Sequence, residues 1–192
     1  RIRDKHAAHF KPTIDVGKCR YLWFGSTLKL NAFTFISEET EWGWFQAHAY
    51  PFDASASTFI VECREETWLA AGLDKLDPAG SAAFCERLFA GHLQDSTLMV
   101  KSGHPRGSAW LNFHRVFCEK WHYRNAVLIG DAAHTAHFSI GSGTKLAMED
   151  AIALSQAINA CGERDITEAL EAYQVERSQE VLRLQSAAHN RM

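Results

Sequence analysis

The most informative segment of the chain reads Gly130-Asp131-Ala132-Ala133-His134-Thr135-Ala136-His137-Phe138-Ser139-Ile140-Gly141-Ser142-Gly143-Thr144-Lys145-Leu146-Ala147-Met148-Glu149-Asp150. A short apolar run, residues 126–129, stands directly before it and is typical of a strand that is buried on both faces. Gly130 and Asp131 end this predicted strand, and a loop with Gly141 and Gly143 leads into a predicted helix. The segment therefore places the carboxylate of Asp131 just beyond the carboxyl end of a strand.

This arrangement favours ligand binding. Ligands of open α/β sheets lie in the crevice beyond the carboxyl ends of the strands, where a carboxylate suits a ligand hydroxyl group. The two glycines allow the backbone to approach a ligand closely. The helix that follows offers unpaired N–H groups and its positive dipole end, which would stabilise negative charge on a bound ring system or phosphate.

Simpler readings compete with this one. Gly-Asp after a strand is often only a turn, and Gly-Ser-Gly alone is a weak signal. A P-loop does not fit, because that motif needs Gly-Lys-Ser/Thr and here Lys145 follows Thr144. The dinucleotide fingerprint fails as well, since Leu146 stands where its third glycine is required.

The first part of the chain predicts an antiparallel sheet with helices. Residues 21–35 are rich in aromatic and branched side chains, a polar turn is predicted over residues 37–40, and residues 57–64 alternate with Phe59, Val61 and Cys63 on one side. Residues 41–52 also alternate, and the members of one predicted face are Trp42, Trp44, Gln46, His48, Tyr50 and Phe52. A helix begins at Asp77-Pro78, a loop covers residues 102–107, and a strand runs from about residue 109 to residue 117.

Two helices are predicted after the central segment. The first has a core stripe at helical spacing and ends at Gly162, and the stripe consists of Ala147, Ala151, Leu154, Ile158 and Cys161. The last helix is capped by Asp165 with Glu168 three residues on, and its predicted buried face includes Ile166, Leu170, Tyr173 and Leu184. The fold class is therefore α+β, an antiparallel sheet with helices followed by a strand–loop–helix unit.

Composition narrows the possible functions. The 192 residues are 46% hydrophobic and 22% charged, a globular mixture, and the formal net charge of -3 does not favour a nucleic-acid partner. The longest apolar runs are too short to span a bilayer, and the polar N-terminus does not resemble a signal peptide. The five cysteines are odd in number and widely spaced, which argues against disulfides and structural zinc and favours the cytoplasm.

Taken as a whole, the segment resembles the second flavin-binding motif of group A flavoprotein monooxygenases, the family of para-hydroxybenzoate hydroxylase. That motif runs Gly-Asp-Ala-Ala-His, a stretch containing proline, Gly-x-Gly, and a helix that ends in Asp. Residues 130–134, Gly143 and Asp150 match it, whereas His137 and Phe138 stand where proline is usual. The form of residues 137–151 is similar to the branch that hydroxylates aryl-coenzyme A thioesters such as salicylyl-CoA and 2-aminobenzoyl-CoA.

The resemblance implies a role for each matching residue. It implies an FAD cofactor, NAD(P)H as the reductant, and a small aromatic substrate, with aryl-CoA thioesters among the candidates. Asp131 would bind the ribityl chain, His134 would be a hydrogen-bonding residue near the flavin loop, and the backbone of Gly141, Ser142, Gly143, Thr144 and Lys145 would face the pyrimidine edge of the flavin. The two alternatives are a non-catalytic binding module and another flavin oxidoreductase, such as a dehydrogenase or a halogenase.

The family's N-terminal Gly-x-Gly-x-x-Gly segment, which holds the ADP part of FAD, has no counterpart in this sequence. The middle Asp-Gly motif usually ends in Ser-x-x-Arg, and Arg3 is a candidate for its last residue. The first residue is Arg and not Met, so we expect a C-terminal fragment of the hydroxylase module that is inactive alone. Residues 1–117 would be the substrate-domain sheet portion and residues 118–192 the C-terminal part of the FAD-binding domain.

Other candidates have competing structural explanations. His137 is a candidate catalytic proton carrier, since the histidine pKa is ordinarily about 6.5, but the base rate for polar loop residues favours a partly exposed loop histidine. His134 and His137 are spaced three apart, yet no third ligand is apparent, so no metal site is predicted. Trp42, Trp44, His48 and Tyr50 are candidate substrate-binding residues, and the alternative is ordinary sheet core.

Overall fold

The computed structural model describes residues 2–100, 109–162 and 165–189. The helices are α1 (Ile2–Lys5), α2 (Ala7–Phe10), α3 (Glu65–Ala70), α4 (Pro78–Leu88), α5 (Ala90–Leu93), α6 (Gly143–Cys161) and α7 (Ile166–His189). The strands are β1 (Pro12–Ser26), β2 (Thr34–Thr40), β3 (Gly43–Pro51), β4 (Ser57–Arg64), β5 (Leu98–Met99), β6 (Leu111–Cys118), β7 (His122–Tyr123) and β8 (Ala126–Val127). The predicted α+β class is confirmed, and the predicted loop over residues 102–107 lies outside the described residues.

The chain divides into two compact units. The sheet unit is Gly17–Phe113, and the terminal unit combines Arg1–Val16 with His114–Met192. The predicted boundary after residue 117 lies close to the second junction, whereas residues 1–16, which we assigned to the sheet portion, belong to the terminal unit. None of the described helices combines the length and the apolar character that crossing a bilayer requires.

The sheet unit is built on strands in the order β2-β3-β4-β1-β5, and β6 also pairs with β1. The pairings β2–β3, β3–β4, β4–β1 and β1–β5 are all antiparallel, as the sequence predicts. The predicted turn over residues 37–40 is wrong, because these residues belong to β2. The reversal comes at Glu41-Trp42, where the Thr40 hydroxyl donates to the Gly43 carbonyl at 2.7 Å.

One face of this sheet packs against helices and forms a core. From β3 it contributes Phe45, Ala47 and Ala49, which are fully buried, together with Ala82 and Cys85 of α4. The start of α4 matches its prediction, since the Asp77 carboxylate accepts the Gly80 N–H at 2.7 Å. This core fixes which side chains of β3 and β4 point to the opposite face of the sheet.

The terminal unit has its own core. Its large buried side chains are Phe10, Trp121, Leu128, Leu146, Tyr173 and Val181. The prediction of a strand over residues 126–129 that is buried on both faces is wrong. Strand β8 covers only Ala126–Val127, both half-buried, and Ile129 is 39% exposed. Among the described residues, the strand that pairs with β8 is β7, and the two run antiparallel. In that part of the chain β8 is therefore not covered by parallel neighbours.

The predicted core stripe of α6 is also partly wrong. Ala151 and Ile158 are exposed, and the buried positions are Leu146, Asp150, Ala153 and Cys161. The buried face of α6 differs from the predicted stripe because it includes the charged residue Asp150. A prediction from apolar side chains alone does not include such a residue. Gly162 ends α6 with φ +60, as predicted. In α7, Asp165 caps the helix by accepting the Thr167 N–H at 2.9 Å, but Ile166 is 47% exposed instead of buried.

Candidate functional site

Gly130 is required by the close approach of the turn to α6. Its φ is +53, and a methyl group at this position would lie 2.9 Å from the Cβ of Ala147. Its N–H donates to the Asp150 carboxylate at 2.9 Å. Both the dihedral angle and the contact exclude a side chain, so this glycine allows the turn to rest on the first part of α6.

Asp150 is the centre of a buried polar network. Its side chain is fully buried; one oxygen, Oδ2, lies 2.7 Å from Nε2 of His134, and the other, Oδ1, accepts Nε of Arg177 at 2.9 Å. Burial alone would raise the pKa of Asp150, but the hydrogen bonds from His134, the Gly130 N–H and Arg177 outweigh burial, and its pKa is lowered. Both oxygens of the buried Asp150 carboxylate therefore have hydrogen-bond partners.

The network continues to the surface of α6. A second guanidinium nitrogen of Arg177 donates to Glu149 at 3.0 Å, and Glu149 pairs with Lys145 one turn earlier in the helix. The hydrogen bond from Lys145 is the largest cause of a lowered pKa at Glu149, and Arg177 contributes in the same direction. Lys145, which belongs to the predicted flavin loop, is thus linked to α7.

The backbone carbonyl groups of the turn that carries Asp131 also accept hydrogen bonds. Arg3 donates from one guanidinium nitrogen to the Asp131 carbonyl at 3.3 Å and to the Ala132 carbonyl at 3.2 Å. The N–H groups of Ala133 and His134 both donate to the Gly130 carbonyl at 2.9 Å. The backbone is fixed by these bonds, while the residue Asp131 is exposed and its carboxylate faces solvent.

The start of α6 is open in a way that suits a ligand. Gly141 has φ +66, and a Cβ at Gly141 or Gly143 would meet nothing within 4 Å. Ser142 makes no side-chain capping bond, and its hydroxyl is buried without a hydrogen-bond partner. The first N–H groups of α6 therefore lack a side-chain cap, and an orphaned hydroxyl lies beside them, as expected where a ligand supplies the missing partner.

His137 differs from the partly exposed loop histidine of the alternative interpretation, since only 4% of it is exposed. Its Nδ1 accepts the Ser139 N–H at 3.3 Å and lies 2.8 Å from the Ser139 hydroxyl, and its ring lies 4.3 Å from that of Phe138. A catalytic role for His137 stays a prediction. Among the described residues, no group of three His, Cys, Asp or Glu side chains is placed to hold a metal ion.

The predicted aromatic face of β3 is only partly as expected. Trp42 lies before the strand, and its ring is 5.8 Å from that of Phe84 on α4, so it does not share a face with Trp44. Trp44 is 57% exposed and Tyr50 is half-buried, so neither belongs to the sheet core as the alternative interpretation required. His48 is almost fully buried, with Nε2 3.2 Å from Glu62.

Sequence reasoning missed several residues of both sites. Neither Glu62, which lies beside His48, nor Arg177 is among the residues predicted from the sequence. Asp150 was recognised as a motif residue without its partners. A charged residue within a helical apolar pattern, followed by an arginine on the next helix, was the available signal for the Asp150–Arg177 pair.

Comparison with known proteins assigns the family. The sequence pattern of the FAD binding domain family matches residues 33–188. The chain belongs to the FAD binding domain family. FAD is therefore the cofactor that this site has to accommodate. The site suits FAD because it offers the exposed Asp131, open space at Gly141 and Gly143, and a Ser142 hydroxyl without a hydrogen-bond partner.

Two curated proteins are similar to this FAD binding domain chain in sequence, and one solved structure shares its fold. It is 41% identical over 191 residues to salicyloyl-CoA 5-hydroxylase of a Streptomyces species, covering 98% of the chain and 37% of that protein. It is 36% identical to the 3-hydroxy-4-methyl-anthranilyl-[aryl-carrier protein] 5-monooxygenase of Streptosporangium sibiricum, covering 99% of the chain and 50% of that protein. The crystal structure of PqsL, a probable FAD-dependent monooxygenase from Pseudomonas aeruginosa, has a TM-score of 0.68 at 19% identity, covering 97% and 51% of the two chains. The chain thus spans half or less of the curated relatives named here.

Proposed function

We propose that the protein that carries this chain is a FAD- and NAD(P)H-dependent monooxygenase that hydroxylates an aromatic substrate. The observation that carries the proposal is the combination, in one unit, of the Asp131 turn with the uncapped start of α6, within a chain of the FAD binding domain family. The names of the two curated relatives, a 5-hydroxylase and a 5-monooxygenase, support the reaction class.

The residues of the terminal unit would hold FAD as follows. The Asp131 carboxylate would accept hydrogen bonds from ribityl hydroxyl groups, and the backbone of residues 141–145 would bind the flavin ring. The Ser142 hydroxyl gains a partner there, and the positive end of α6 stabilises negative charge on the ring system. FAD, when bound, supplies the activation of dioxygen with electrons from NAD(P)H. The protein contributes orientation, exclusion of water and a fixed field.

An aromatic ring joined to coenzyme A as a thioester is the substrate class that we propose. Support comes from the 41% identity to salicyloyl-CoA 5-hydroxylase, whose name states an aryl-CoA substrate. In the sheet unit, Trp44 and Tyr50 present aromatic surface away from the core, with the buried His48 between them on β3. Exposed aromatic side chains beside a few polar groups are what an aryl ligand requires.

The aromatic residues permit a matched test. Trp44→Ala in the full-length protein should weaken aryl-CoA binding, because it removes exposed aromatic surface and leaves the core intact. Trp42→Ala should instead lower the free energy of unfolding with little effect on binding, since Trp42 packs near Phe84. Equal substrate dissociation constants for wild type and Trp44→Ala would remove Trp44 from the substrate site.

The reaction itself is tested by product analysis. Full-length protein, FAD, NAD(P)H and salicylyl-CoA or 2-aminobenzoyl-CoA should give a product with one oxygen atom derived from dioxygen, which labelled oxygen and mass spectrometry detect. The free aryl acids serve as controls and should react more slowly. Oxidised product without oxygen incorporation would identify a dehydrogenase and overturn the hydroxylase proposal.

The remaining assignments follow from the same proposal. The sheet unit would be the substrate-domain portion, and the terminal unit would be part of the FAD-binding domain. A cytoplasmic setting is part of the same proposal, and it rests on the odd number and wide spacing of the five cysteines in the sequence.

A further inference from the structure

The ion pair between Arg177 and Asp150 is buried, and a contribution to stability alone does not explain why two charges are buried there. The Arg177 side chain is 9% exposed and that of Asp150 is fully buried. Burying two charges is costly, and an apolar pair of similar volume often stabilises a protein equally well. A buried pair of this kind is better explained by the orientation that it imposes on its neighbours.

The two oxygens of the Asp150 carboxylate have separate partners. Oδ1 accepts Arg177 Nε at 2.9 Å, while Oδ2 accepts the Gly130 N–H at 2.9 Å and lies 2.7 Å from His134 Nε2. Because Arg177 occupies Oδ1, the carboxylate is held in one rotation, and Oδ2 is directed to the turn. The position of the residue after Gly130, which is Asp131, depends on this orientation.

Arg177 also reaches the other half of the predicted cofactor site. Its second nitrogen donates to Glu149 at 3.0 Å, and Glu149 pairs with Lys145 in the first turns of α6. One guanidinium group on α7 therefore contacts both the carboxylate that holds the Asp131 turn and the ion pair at the start of α6. Arginine suits this task because its planar fork donates in fixed directions.

We propose that Arg177, acting through Asp150, is a positioning residue that sets the Asp131 carboxylate for FAD binding. The inference rests on the proposed function, because it requires that Asp131 contacts the cofactor. Neither Arg177 nor Asp150 touches FAD in this account. Their contribution is to hold the Gly130–Ala132 turn in the one conformation that presents Asp131 correctly.

A double-mutant cycle on FAD affinity tests this coupling in the full-length protein. FAD dissociation constants are measured by flavin fluorescence quenching for wild type, Arg177→Ala, Asp131→Ala and the double variant. We expect each single change to raise the dissociation constant about tenfold or more, the value of one charged hydrogen bond. The double variant should be no weaker than the weaker single variant, since Arg177 has no effect once Asp131 is absent.

Two further variants keep the test decisive. Arg183→Ala is the matched control on the same helix, because the Arg183 side chain is 78% exposed, and it should change FAD affinity less than about twofold. Arg177→Lys retains the charge without the fork, and it replaces Arg177→Ala in the cycle if the alanine variant fails to fold. It should weaken FAD binding severalfold in the wild-type background and not in Asp131→Ala.

These measurements distinguish a failure of the positioning role of Arg177 from a failure of the proposed FAD site. If Asp131→Ala weakens FAD binding but the Arg177 variants bind like Arg183→Ala, the positioning role is wrong and the cofactor site stands. Additive effects of Asp131→Ala and the Arg177 variants also overturn it, because they show independent action. If wild type does not bind FAD, the proposed function fails first.

Discussion

Replacement of Gly130 by alanine should destabilise the protein by an amount that follows from two separate terms. The backbone at Gly130 has φ +53, a conformation that costs an L-residue about 1–2 kcal/mol. The added methyl group would lie 2.9 Å from the Cβ of Ala147, and overpacking of this kind typically costs about 1–3 kcal/mol. We therefore expect Gly130→Ala to lower the free energy of unfolding by about 2–5 kcal/mol.

A matched glycine separates these two terms. Gly72 also has a left-handed backbone, with φ +69 and ψ +21, but a Cβ there would meet nothing within 4 Å. Gly72→Ala should therefore cost only the dihedral term, about 1–2 kcal/mol. In the Gly130→Ala background, Ala147→Gly should restore part of the loss by removing the contact, less about 0.5–1 kcal/mol for glycine within α6.

Urea denaturation of the wild type, the three single variants and the Gly130→Ala/Ala147→Gly double variant, followed by circular dichroism, measures these differences. We expect Gly130→Ala to be less stable than Gly72→Ala, and Ala147→Gly to be stabilising only when alanine is present at position 130. Equal losses for the two glycine variants would refute the packing argument. A loss from Ala147→Gly in both backgrounds would refute it independently.

Three further predictions concern other contacts. Asp150 has a lowered folded pKa, so it stabilises the protein above its unfolded pKa of about 3.9. The stability difference between wild type and Asp150→Asn should therefore be full at neutral pH and shrink as the pH falls below about 4, and a difference that grew on acidification would contradict this. Tyr173→Phe should cost about 1 kcal/mol in urea denaturation, because the buried hydroxyl donates to the Leu128 carbonyl at 3.2 Å; an unchanged midpoint would show that this bond is dispensable. Asp77→Ala should cost about 1 kcal/mol by the same assay, since it removes the cap on Gly80, and no loss would mean that α4 does not depend on its cap.

Local patterns predicted the sheet unit well, because period-two alternation and capping residues report directly on strands and helix starts. Strands β3 and β4 and the start of α4 at Asp77 were predicted in this way. The polar residues 37–40 were misassigned to a turn because an edge strand with a solvated face is as polar as a turn. Trp42 was misassigned because alternation cannot show that Gly43, with φ +123, interrupts it.

The terminal unit shows what sequence patterns miss. The apolar residues 126–129 predicted a long buried strand, but strand length depends on its neighbours, and only β7 is present for it among the described residues. Asp150 and Arg177 form their pair across two helices, and a charged residue within the apolar pattern of α6 does not by itself identify its partner. The prediction of a flavin loop over residues 141–145 rests instead on a whole motif, in which residue types and spacings act together.

The central claim is that the Asp131 turn and the start of α6 bind FAD. The most direct measurement is an FAD titration, followed by flavin fluorescence, of the full-length protein, its Asp131→Ala variant and a control in which the exposed Glu176 of α7 is replaced by alanine. We expect saturable FAD binding by wild type and Glu176→Ala, and at least about tenfold weaker FAD binding by Asp131→Ala. Equal affinities for all three proteins would contradict it.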